Sequence, residues 1–86
     1  VSNPDLLTRA AREQHFSDSA TAAVSAAQAK DTQANQLLAL AGELDGVEGM
    51  ERVQEEHYRA AAAAAHDAEV RRGKAAIYGF LSENPA

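Results

Sequence analysis

Three histidines, His15, His57 and His66, are the side chains of this 86-residue chain best suited to bind a metal or move a proton near neutral pH. Helical di-metal sites place a glutamate three residues ahead of each histidine, so that both ligands leave one face of the helix. Here the residues three ahead are Arg12, Gln54 and Ala63, and that spacing is missing at all three histidines. His66 has Glu69 one turn further on, a pairing more common as a surface interaction than as a ligand set. The chain has no cysteine, which excludes disulfides and thiolate metal sites. It carries no glycine-rich phosphate loop, no nucleophile elbow and no Ser/His/Asp ordering. The expectation is a protein that is not an enzyme and needs no cofactor. The alternative is a metal- or ligand-binding helical bundle using His57, His66 and neighbouring carboxylates, which stoichiometric metal analysis would reveal.

The elements that would position any such group are organised around Leu44-Asp45-Gly46-Val47-Glu48-Gly49. Two of the five glycines fall there, between two alanine-rich segments. Glycine enters left-handed backbone freely and is the usual residue just past a helix end, so Gly46 reads as a stop and Gly46, Val47 and Gly49 as a turn. The pattern predicts one all-α domain over residues 1–86: an antiparallel helical hairpin with arm one at about 4–44, a turn at 45–49 and arm two at about 50–83.

Arm one opens with Ser2-Asn3-Pro4-Asp5, residue types that cap and start helices. Leu6, Leu7, Ala10 and Ala11 form an apolar face, and Asp5 with Arg9 and Arg9 with Glu13 are i,i+4 pairs. The polar cluster Phe16-Ser17-Asp18-Ser19 competes with helical hydrogen bonding; a break there would leave a short N-terminal helix able to fold back or swap. From Phe16 a heptad stripe runs through Ala20, Ala23, Ala27, Lys30, Ala34, Leu37, Ala41 and Leu44, the spacing of a packed seam whose alanines admit a close neighbour. Lys30 alone interrupts it, either snorkelling at the seam edge or setting register.

In arm two Met50, Val53 and either His57 or Tyr58 begin an apolar stripe, flanked by the pairs Glu48–Arg52 and Glu55–Arg59. Ala60 to Ala65 is strongly helical but nearly faceless. Beyond it the apolar positions become Ala63, Val70, Ile77 and Phe80 or Leu81, on a face rotated from that of Met50 and Val53. One helix with two faces implies two contacts, and Val70, Ile77, Phe80 and Leu81 are the candidate partner-binding residues. Asp67–Arg71 and Glu69–Arg72 read as a solvated charged patch, and Asn84-Pro85 as the helix end.

A domain this small buries only a modest fraction of its surface, and its large apolar residues are few. Self-association into an oligomeric helical bundle, or a protein partner, is therefore expected. The formal charge of −5 opposes binding to nucleic acid. The longest apolar run, Ala60 to Ala65, is far short of the ~20 residues that span a bilayer. No basic start followed by an apolar block marks a signal peptide, so the chain reads as cytoplasmic or exported without a cleaved one.

The turn and its flanks resemble the WxG-type helical hairpins of type VII (ESX) secretion. Val47-Glu48-Gly49 stands where those proteins carry Trp-x-Gly, and Met50-Glu51-Arg52-Val53-Gln54-Glu55-Glu56-His57 is similar to the start of their second helix. The chain departs from the pattern in having no tryptophan, and in Tyr78 being followed by an acidic residue five positions on rather than four. The resemblance implies a non-catalytic, exported hairpin that works by pairing with another helical protein. A further reading is an acidic regulator that sequesters a basic protein through contacts weakened by salt.

Overall fold

The computed structural model describes residues 8–84. They form two α-helices, α1 (Arg9–Glu43) and α2 (Glu51–Glu83), packed against each other as an antiparallel hairpin. The result is a rod of 68 × 22 × 13 Å, of which a 35-residue helix rising about 1.5 Å per residue accounts for most of the length. The expected start at Ser2 to Asp5, the Leu6–Leu7 face, the Asp5–Arg9 pair and Pro85 lie outside the described residues.

Thr8 is the observed N-cap: its backbone is extended, and its hydroxyl oxygen accepts the Ala11 N–H at 3.1 Å, satisfying one of the donors a helix start leaves open. No break occurs at Ser17 to Ser19, so no separate short helix forms among the described residues. The polar groups there serve the helix surface instead. The Thr21 hydroxyl donates to the Ser17 carbonyl at 3.1 Å, and the Gln14 amide donates to the Asp18 carboxylate at 2.7 Å. Alanines on either side supply enough helix propensity to carry the chain through.

The reversal is one tight turn made twice. Val47 N–H donates to the Leu44 carbonyl at 3.0 Å and Met50 N–H to the Val47 carbonyl at 3.2 Å. The third residue of each four-residue turn is glycine with positive φ, +74° at Gly46 and +84° at Gly49. Leu-Asp-Gly followed by Val-Glu-Gly is thus a repeated turn sequence. Gln54, one turn into α2, reaches back and donates its side-chain amide to the Ala41 carbonyl at 3.0 Å, capping the end of α1 from across the hairpin.

Every member of the α1 stripe from Phe16 to Leu44 is buried or half-buried. On α2 the facing positions, again in steps of three and four, run from Met50 through Gln54, His57, Ala61, Ala64, Ala68, Arg71, Ala75 and Tyr78 to Ser82. His57, not Tyr58, belongs to this seam; Tyr58 is exposed. The buried core is entirely alanine: Ala27, Ala34 and Ala41 from α1, Ala61, Ala64 and Ala68 from α2. At the open end Phe16 and Tyr78 stack with ring centroids 6.4 Å apart, closing the seam beyond its alanine centre.

Candidate interaction face

A seam whose buried centre is alanine leaves several of the larger apolar side chains outside it. Val70 is 44% exposed, Ile77 60% and Phe80 63%, whereas Leu81 is half-buried beside the seam. Val70 and Ile77 are one heptad apart and continue the line of Ala63, about 130° round the helix from the seam at 3.6 residues per turn. Phe80 flanks that line on one side; Ala60, Asp67, Lys74 and Leu81 flank it on the other, toward α1. α2 therefore presents one face to α1 and a second, more bulky one to its surroundings. Val24 and Leu38, on the opposite flank of the hairpin, are also exposed but stand two heptads apart with the charged Asp31 between them.

The charged residues between the two faces are partly solvated, with Asp67 and Arg71 paired as the spacing predicts, and they also bridge the helices. Lys30 reaches across from α1 to Asp67 at 3.5 Å, Asp67 also receives Arg71 at 3.0 Å, and Arg72 pairs with Asp31 of α1 at 2.6 Å rather than with Glu69. These side chains are between a third and a half exposed, so solvent screens the pairs and each contributes little to stability. Their larger effect is geometric, since sliding either helix by one turn would separate both cross-helix pairs. Similarly, Arg52 pairs with Glu56 at 3.4 Å and not with Glu48, while Arg9–Glu13 and Arg59–Glu55 form as the spacing predicts.

Partial desolvation at the seam edge pushes the Asp67 carboxyl up, and the hydrogen bonds and charges of Arg71 and Lys30 together outweigh it, leaving its pKa below the ordinary 3.8. A depressed folded-state pKa adds stability that is complete above the unfolded value and fades as pH falls through the folded one. Asp67→Asn should therefore melt below the wild type at pH 7, and the gap should close in acid well below the ordinary carboxyl value of 3.8, as pH falls through the lowered folded-state pKa. Thermal melts at the two pH values check this, and a gap that persists in acid would assign the loss to packing.

The three histidines are not brought together. His57 is half-buried in the seam, His66 is exposed on the far side of α2, and His15 is exposed on α1, its ring 5.4 Å from that of Phe16. Among the described residues no three His, Cys, Asp or Glu side chains gather as a ligand set, and no pocket is formed. No described helix is long and apolar enough to cross a membrane. No protein-family model, curated protein or solved structure matches the chain.

Proposed function

We propose that the protein is a non-catalytic helical interaction module that works by pairing the outer face of α2, Val70, Ile77, Phe80 and Leu81, with another helical protein surface. The observation that carries this reading is the inversion of the usual packing. Alanines fill the buried centre of the seam, while Ile77 and Phe80, among the largest apolar side chains of the chain, stand more than half exposed. Neighbouring exposed apolar residues on a small chain mark a surface meant to be covered. The more particular reading is a WxG-like hairpin exported by a type VII system. It is supported by the two-helix architecture and by Val47-Glu48-Gly49 lying in the turn, with Gly49 in left-handed backbone.

The test is Ile77→Ser with Phe80→Ser. The double variant should keep the helicity of the wild type, because neither side chain supports the seam, should sediment as a smaller species at the same concentration, and should match the melting temperature of the wild type diluted below its association range. A melting temperature lowered together with loss of helicity would overturn the reading, since those residues would then be serving the hairpin's own fold.

A further inference from the structure

The exposed face of α2 is complementary to itself when a second copy is turned end for end. We propose that its occupant is the α2 helix of a second copy of this chain, antiparallel, with the two-fold axis passing beside Val70. This rests on the interaction reading above and specifies its partner.

The register follows from size and charge. With Val70 opposite Val70, the residues one heptad to either side face each other, so the bulky Ile77 of each copy lies on Ala63 of the other. In an antiparallel two-fold pair, like flanks meet. Leu81 then falls against Ala60, and Lys74 falls beside Asp67. Large meets small at the Ile77–Ala63 and Leu81–Ala60 layers on either side of Val70, which is the condition for dense packing without strain. Lys74 makes no ion pair within its own chain among the described residues, and Asp67 sits at the flank it would reach. In a parallel pair, by contrast, Ile77 would meet Ile77, Ala63 would meet Ala63, and the gap at one layer would match the crowding at another.

Charge along the rod favours the same orientation. Residues 43–59, around the turn, carry six carboxylates against Arg52 and Arg59, a net charge of −4. A parallel dimer sets two such tips side by side. The antiparallel register overlaps the helices from about residue 57 to 83, roughly 40 Å at 1.5 Å per residue, and sends the acidic turns out of opposite ends.

The absence of cysteine makes the test direct. Single-cysteine variants of the full chain are oxidised under conditions where sedimentation reports the association state. Val70→Cys should link to itself at least about ten-fold faster than Ser25→Cys, an exposed control on the outer side of α1, because association raises the effective thiol concentration. An equimolar mixture of Ala63→Cys and Ile77→Cys chains should yield mainly the mixed dimer. Ala63–Ala63 and Ile77–Ile77 position homodimers in its place would overturn the antiparallel register while leaving the interaction reading standing. A chain that sediments as a monomer at every concentration, with Val70→Cys linking no faster than Ser25→Cys, would overturn the second copy as occupant; the Ile77→Ser/Phe80→Ser melt then decides separately whether the face is free for another partner.

Discussion

Replacing both Gly46 and Gly49 by alanine should lower the melting temperature by roughly 10–25 °C. Left-handed backbone costs an L-residue about 1–2 kcal/mol, and both positions have φ in that region, +74° and +84°. Two such costs fall on a small domain whose total stability is on the order of 5–15 kcal/mol. No atom lies within 4 Å of a Cβ built at either glycine, so the loss is one of backbone conformation and not of collision. Gly73→Ala is the matched control. Gly73 is helical and also has open space around it, so its substitution should stabilise by roughly 0.5–1 kcal/mol. The same chemical change thus has opposite signs at the turn and in α2. The double variant should also favour continuous helix, seen as a larger hydrodynamic radius with helicity maintained. An unchanged melting temperature with a compact radius would mean that the chain reverses without needing those conformations.

Much of this architecture is legible in the sequence, and the reasons are specific. The paired glycines mark the turn because few other residues tolerate its backbone, and the α1 stripe is legible because its apolar positions keep heptad spacing from Phe16 to Leu44 with one interruption. The seam of α2 was not legible in the same way. Its positions include Gln54, His57, Arg71 and Ser82, and within Ala60 to Ala65 every face looks alike, so periodicity gives no direction. The apolar stripe that does stand out on α2, Ala63, Val70 and Ile77, is the outward one. The signal that could have located the seam is the alanine spacing 61-64-68-75 read against its partner's small residues, since only small side chains opposite small side chains let two backbones come close. The cross-helix pairs were missed for a related reason: spacing along one helix offers Arg72 only Glu69, three residues back, and gives Lys30 no acidic partner, whereas the hairpin register decides that they face Asp31 and Asp67. The polar cluster at Ser17 to Ser19 was overrun by helix, which its local composition alone would not show.

The alanine seam itself carries the second large expected effect. Ala68 is 0% exposed and faces α1 at the centre of the rod, so Ala68→Leu inserts three carbons where no room exists. Overpacking of a close-packed interior costs about 1–3 kcal/mol, and here relaxation means moving one whole helix away from the other, which also lengthens the Lys30–Asp67 and Asp31–Arg72 pairs. Ala62→Leu, the same exchange at an exposed position on the same helix, should stay within about 0.5 kcal/mol of the wild type. Chemical denaturation of the two variants measures the contrast. The outcome bears on function as well as on the fold. Burial of an alanine methyl gains little, so a seam of this kind derives its stability from close approach of the backbones and not from the transfer of large apolar surface. If Ala68→Leu were instead neutral or stabilising, the helices would be loosely apposed with space for larger side chains between them, and the exclusion of Ile77 and Phe80 from the seam would no longer set them aside for a partner.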